Sequence, residues 1–274
     1  MRTFFLTFFM LAALIPGAYA ELDLDQEVMI IPDQHNEKPY IWHVARNPKG
    51  YELSIEPGAP GYTAEYRLLL NAAVPGQIGD MHVFITDKDL HTFKHLRPIN
   101  TGSGIYKFSY NAPKTGKYRF EVVFKTEKGW INLRKDLKIK KSDALDPEKQ
   151  AGEEDYHVSV KFLPKKIYAE HVGTLLFDIS YKDKPLEGLE KIDNADMQVA
   201  SWDEDLKEFL FITPKQSLGG PKVPVSIVFM EPGKHAVFAE FKHKGVIRTI
   251  ELVVNAFEEP RNYGDSILNI SPSE

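Results

Sequence analysis

The chain has 274 residues, 27% of them charged, a formal net charge of −5 and no cysteine. Without cysteine it can hold no disulfide, thiolate metal ligand, c-type haem or thiol redox centre. Its mild acidity comes with no long basic run, so it has no electrostatic footprint for nucleic acid or anionic lipid.

In chain order, residues 1–20 read MRTFFLTFFMLAALIPGAYA. A lone Arg2, a short apolar core from Phe4 to Ile15, a Pro16-Gly17 break and Ala18-Tyr19-Ala20 predict a cleaved signal peptide. The apolar run is shorter than the roughly 20 residues a spanning helix needs, and no later segment is long and apolar enough to cross a membrane. The expected location is therefore periplasmic or secreted. Export without cysteine favours a bacterial periplasm. Loss of Arg2 leaves a mature chain with a formal charge of −6. Residues 21–39 lack periodicity and are expected to form an N-terminal arm.

The rest of the chain is predicted to be two copies of one domain. DMHVFITDKDLHTFKHLRP (80–98) aligns without a gap to DMQVASWDEDLKEFLFITP (196–214), an offset of 116 residues, with eight identities. These are Asp80/Asp196, Met81/Met197, Val83/Val199, Asp87/Asp203, Asp89/Asp205, Leu90/Leu206, Phe93/Phe209 and Pro98/Pro214. Around each copy lie short alternating segments that read as strands. YELSIEP (51–57), YRLLLNA (66–72), YKFSYNA (106–112), KYRFEVVFK (117–125) and INLRKDLKI (131–139) belong to the first. YHVSVKF (156–162), TLLFDISY (174–181), VPVSIVF (223–229), KHAVFAEFK (234–242) and VIRTIELVV (246–254) belong to the second. The expected fold is all-β: two tandem immunoglobulin-like (fibronectin-like) antiparallel sandwiches, domain 1 over 40–140 and domain 2 over 156–257. A charged, turn-rich linker separates them at 141–155, and 258–274 forms a C-terminal tail.

His82, His91 and His95 fall within residues 80–98, among nine histidines in all. With a turn centred between Lys88 and Asp89, a hairpin would oppose Asp80 to Arg97, His82 to His95 and Phe84 to Phe93. Opposed Cβ atoms lie about 4.5–5.5 Å apart, so His82 and His95 could share a copper or zinc ion through imidazole nitrogens. The alternatives are solvated or stacked side chains on a sheet face, or contact with a protein partner. His91, beside the turn, is expected in solvent.

HVFITDKDLHTFKHLRP resembles the H-L-F-V-V-x-x-D-L-x-x-F-x-H-L-H-P segment of bacterial exported immunoglobulin-like domains of the YtkA-like and FixH-like group. Some of these accompany copper-handling proteins. The resemblance implies that His82 and His95 hold two of three histidine positions, with Arg97 at the third. The second copy has Gln198, Phe211 and Thr213 there, so a metal site of this kind would exist in domain 1 alone.

Other residues read as structure. His35 and His43, with Tyr40 and Trp42, are expected in or near the arm. His235 and His243 flank one strand, too far apart to chelate. Met81 and Met197 alternate with valines and are expected in the core. WDEDLKE (202–208) reads as a solvated turn without the ligand spacing of a calcium loop. There is no G-x-S-x-G, H-E-x-x-H or phosphate-binding glycine loop. The expected function is non-enzymatic: binding of copper or another transition metal through His82 and His95, or an envelope interaction module that contacts a protein without metal.

Overall fold

The structure, a computed structural model, describes residues 45–46, 51–57, 65–72, 79–127, 129–140, 155–214 and 216–259. The expected signal peptide, the N-terminal arm with His35 and His43, the linker up to Glu154 and the tail beyond Glu259 lie outside them. Both sandwiches fall in one compact unit, Lys38–Glu274.

The first sandwich contains β1 (Ala45–Arg46), β2 (Tyr51–Pro57), β3 (Glu65–Ala72), β4 (Gly79–Asp87), β5 (Phe93–Leu96), β6 (Ile99–Gly102), β7 (Ile105–Ser109), β8 (Gly116–Thr126) and β9 (Gly129–Ile139). One sheet runs β1-β9-β8-β4-β5 and the other β2-β3-β7-β6. The second contains β10 (Tyr156–Leu163), β11 (Ile167–Tyr168), β12 (Gly173–Tyr181), β13 (Lys184–Pro185), β14 (Met197–Asp203), β15 (Phe209–Ile212), β16 (Lys222–Ile227), β17 (Gly233–His243) and β18 (Val246–Phe257). Its sheets run β11-β18-β17-β14-β15 and β10-β12-β13, with β16 also paired to β12. Every pairing is antiparallel except β1 with β9 and β11 with β18. The two halves differ in one respect. The strand lying parallel to the last strand precedes the first long strand in one sandwich (β1) and follows it in the other (β11).

Each sandwich closes on its own apolar core. In the first, Ile55, Tyr66, Leu68 and Phe108 of one sheet meet Val83, Ile85, Phe120, Val122 and Leu133 of the other. In the second, Leu175, Phe177, Ile179 and Val225 meet Met197, Val199, Val237, Ala239 and Val254. Met81 and Met197 are buried in these cores, as their alternation with valine requires. An immunoglobulin-type corner is visible at the start of β8. The Tyr118 hydroxyl donates to the Lys114 carbonyl four residues upstream at 2.8 Å, the bond expected of a corner tyrosine. At the start of β17 an imidazole takes that role: His235, fully buried, places Nε2 2.8 Å from the Glu231 carbonyl.

The aligned segments form matching hairpins. β4 pairs Thr86 with Phe93, Ile85 with Lys94, Phe84 with His95 and Val83 with Leu96. β14 pairs Trp202 with Phe209 and Val199 with Ile212 in the same register. Asp87 Oδ1 accepts the His91 and Thr92 amides at 2.7 and 3.1 Å, and Asp203 Oδ1 accepts that of Glu208 at 2.7 Å. Leu90 and Leu206 each sit in the left-handed region, at φ 59° and 58°, with their amides on the Asp87 and Asp203 carbonyls. The shared Asp and Leu are thus the residues that shape the loop.

This loop corrects the expected register. Because Asp87 caps a five-residue loop, Lys88–Thr92, the turn centre moves one residue later and every partner shifts by two. Asp80 does not oppose Arg97 and Phe84 does not oppose Phe93; His95 stands opposite Phe84, diagonal to His82. A shift of two preserves faces, so both histidines still point to the same side. WDEDLKE also departs from expectation: Glu204, Asp205 and Lys207 are exposed, but Trp202, Asp203, Leu206 and Glu208 are buried.

Asp87→Ala removes a buried carboxylate and so strips two amides of their acceptor and Lys114, 2.6 Å away, of its partner. It is expected to lower unfolding free energy by about 2 kcal/mol in a denaturant titration. Asp89→Ala, which removes only an exposed pair with Lys88, is expected to stay within about 0.5 kcal/mol of the parent.

Candidate functional site

Strands with one face on a core and one in water should alternate in burial. β4 from Met81 to Asp87, all of β14, and most of β8 and β17 do not; they are buried at successive positions. Their second faces are covered because the two five-stranded sheets pack against each other, outer face to outer face. The two sandwiches together are therefore four sheets deep, with a third apolar cluster between them. That cluster contains Phe84 and Val123 from the first and Ala200, Trp202, Leu206, Phe209, Ala236 and Phe238 from the second, with Leu90, Phe93, Trp130 and Phe211 at its margin.

Aromatic contacts dominate this seam. Phe93 stacks on Phe238 at 4.6 Å with planes 6° apart. Phe84 lies 5.4 Å from Phe209 and 4.8 Å from Phe211. Such pairs contribute about 0.5–1.5 kcal/mol each beyond their area burial. At one side, Arg119 and Arg134 donate to the Leu206 and Lys207 carbonyls of the facing hairpin, at 2.5 and 2.9 Å. Both guanidiniums are held by Glu121, which is fully buried, with Arg134 at 3.0 Å and Arg119 at 3.8 Å. Burial pushes the Glu121 carboxyl above the ordinary range, against the opposing pull of Arg134, Asn132 and Arg119.

His82 and His95 lie at the other side. His82 is 2% exposed and its ring packs 4.6 Å from Phe211 of the second sandwich. Its Nδ1 is 2.9 Å from His95 Nε2, with the two rings nearly coplanar. His95 Nδ1 reaches Glu240 Oε2 of β17 at 2.5 Å, and both side chains are at least nine-tenths buried. Arg97 Nη1 lies 3.1 Å from His82 Nε2, and its other amino group pairs with Asp193 of the second sandwich.

These contacts fix the proton positions. A guanidinium only donates, so His82 Nε2 is the acceptor and its proton sits on Nδ1. That proton points at His95 Nε2, which leaves the His95 proton on Nδ1, directed at the Glu240 carboxylate. The result is a one-way chain of donors, Arg97 to His82 to His95 to Glu240, in which both rings are neutral and all four ring nitrogens are engaged. Burial first, then the neighbouring Arg97 charge, holds the His82 pKa down to about 2.

The structure therefore brings His82 and His95 together, as expected, but between sandwiches rather than on an open sheet face. His91 is exposed. His235 and His243 sit near opposite ends of β17, in different surroundings. Among the described residues no group of three or more His, Asp or Glu side chains could hold a metal ion. Sequence reasoning missed Glu240, Asp193, Phe211, Arg119 and Arg134. The runs HVFIT and QVASW, apolar without alternation, are the available signal for the seam; nothing local marks the charged residues that complete it.

Residues 150–258 match a family described as Domain of unknown function (DUF8832). No curated protein matches the chain. Solved structures similar to it include the chicken CNTN1 FN1-FN3 domains, at 11% identity over 77% of this chain and 67% of that one, with a TM-score of 0.22. Dimeric latent PorU from Porphyromonas gingivalis has 12% identity, coverage of 75% and 20%, and a TM-score of 0.24. Salmonella alpha-2-macroglobulin reacted with methylamine has 13%, 77% and 14%, and 0.25. This chain thus spans a fifth or less of the length of the last two.

A histidine whose native pKa lies below its unfolded value binds a proton more readily when unfolded, so its contribution is present above about 6.5 and declines as pH falls toward the native value near 2. Relative to His82→Gln, which places in β4 the residue that β14 carries as Gln198, the parent should lose about 1.4 kcal/mol of stability per pH unit below about 6.5. Parallel denaturant titrations of the two proteins across that range measure it.

Proposed function

We propose that this chain is an exported, non-catalytic interaction module of the bacterial envelope, built from two copies of one immunoglobulin-like domain locked into a single body. The export part rests on the sequence of residues 1–20. The observation that carries the rest is the donor chain across the seam. Every nitrogen of His82 and His95 serves a partner within the protein, and Arg97 and His95 both reach the second sandwich. In this reading the histidines specify how the sandwiches dock. The outer faces of the β2-β3-β7-β6 and β10-β12-β16 sheets, with the loop ends, remain for a partner.

The competing reading places copper or zinc between His82 Nδ1 and His95 Nε2. Two nitrogens on one tetrahedral zinc stand about 3.3 Å apart, given metal–nitrogen bonds of 2.0–2.1 Å; these stand at 2.9 Å with a proton between them. A metal there would have to remove that proton, interrupt the chain to Glu240 and recruit further ligands.

Thermal unfolding of the metal-stripped protein with and without Cu(II), Cu(I) or Zn(II) separates the two. One cooperative transition, unmoved by metal, is the expected result. A metal-dependent rise in Tm that the His82→Ala/His95→Ala variant lacks would overturn the docking role in favour of a metal site. The interaction role is checked by photo-crosslinking from Lys107 or Ser159 in intact cells, where failure to capture any envelope component counts against it.

A further inference from the structure

Away from the seam, four segments of the second sandwich meet at one end: the start of β10, the end of β12, the β12–β13 turn and the β17–β18 turn. We propose that this loop end carries an oxyanion-binding site, formed by the Lys182 and Lys244 ammoniums and the Tyr181 hydroxyl, that takes the phosphate or carboxylate group of an anionic ligand. The site shares no residue with the seam, so it stands or falls apart from the docking role of the histidines.

Two independent observations carry it. The first is convergence. Lys244 Nζ lies 4.2 Å from the Tyr181 ring centroid and 3.0 Å from its hydroxyl, and Lys182 Nζ lies 5.4 Å from the same centroid. Lys182 is 62% exposed at its side chain and Lys244 is also in solvent, so both ammoniums are open to a ligand. Tyr156 pairs with Tyr181 at 4.8 Å beside them, and Arg248 covers the Tyr156 ring at 4.1 Å. The two rings meet at 44° and carry Lys244 and Arg248 on their faces, so the aromatic pair gathers cations at this end of the sandwich, a combination that suits an anionic group. Of the facing carboxylates, Asp155 pairs with Lys182 at 3.6 Å, Asp183 faces His157 at 3.7 Å and Glu190 is taken by Lys242 and the Gly245 amide, while Lys244 is turned to the Tyr181 hydroxyl. The Lys244 hydrogen bond and the two lysine charges also draw the Tyr181 pKa below its ordinary value.

The second observation is backbone conformation. Both lysines open two-residue hairpin turns, Lys182-Asp183 between Tyr181 and Lys184 and Lys244-Gly245 between His243 and Val246. Lys182, Asp183, Lys244 and Gly245 all have positive φ, at 50°, 58°, 54° and 75°. Turns of this kind favour Asn or Gly at their first position, because a Cβ with a long side chain is disfavoured there. Lysine at that position in both turns goes against local preference, and both side chains reach one tyrosine. A residue held against its backbone preference points to a role beyond the turn.

The test replaces each lysine by the residue that the turn prefers. Lys182→Asn/Lys244→Asn should fold as well as the parent, with an equal or higher Tm, because it relieves both turns. Inorganic phosphate, galacturonate and neutral galactose are titrated into both proteins at low salt and followed by NMR shifts of the turn amides. The parent is expected to bind phosphate or galacturonate saturably, with a dissociation constant of about 1 mM, as for a few exposed charged donors, and to ignore galactose. A preference for phosphate would identify a phosphorylated ligand and a preference for galacturonate a carboxylated one. The double variant should lose at least tenfold in affinity. No saturable response to either anion, an equal response to galactose, or undiminished binding by the variant would overturn the proposal.

Discussion

The organising constraint is that two sheets give up their second faces to each other. A sheet that covers a core on one side ordinarily leaves water to satisfy whatever lies on the other. Here water is excluded from both sides of the buried stretches of β4, β8, β14 and β17, so a charged group turned toward the seam is costly without a partner within the protein, whereas the Trp130 and Trp202 indole nitrogens go without one. The arrangement at its two sides follows from that requirement. Glu121 gathers Asn132, Arg119 and Arg134, and the two arginines reach across to backbone carbonyls. Opposite them, His82 and His95 pass a donor chain from Arg97 to Glu240. Between these polar borders the aromatic rings pack. The hydrophobic contacts supply attraction, and the polar borders discriminate against docking angles that would leave a buried charge unpaired.

Much of the fold is legible from the chain because its signals are local. Period-two alternation marks YELSIEP and YHVSVKF, and strands stand there. The shared Asp and Leu of residues 80–98 and 196–214 turn out to be the loop cap and the left-handed loop residue. The short strands β1, β6, β11 and β13 are not legible, since two to four residues carry no period. Register fails for a related reason: a turn centre one residue away is equally compatible with the sequence until the Asp87 cap is seen.

The histidines show where local reading stops. Their common face could be inferred, and they do share it. What they face could not, because Glu240 is 145 residues from His95 in the chain and Phe211 occupies the position aligned with His95 itself. The aligned positions differ so that one sandwich presents imidazoles and the other presents an aromatic ring and, from β17, a carboxylate. Differences of this kind make two similar sheet faces a complementary pair. Comparison of the copies identifies the differing positions but cannot say that they meet each other.

The seam also has a consequence for the newly made chain. Residues of the first hairpin emerge 116 positions before their counterparts in the second. Because domains fold as units, N-terminal first, the first sandwich can stand folded before the second has followed it. During that interval Phe84, Phe93 and the imidazole pair form an uncovered aromatic surface on a sheet whose edge strand, β5, has only four residues. Short edge strands discourage sheet-to-sheet pairing between neighbouring chains, so the brevity of β5 guards the half-made protein against its neighbours before its own second half arrives.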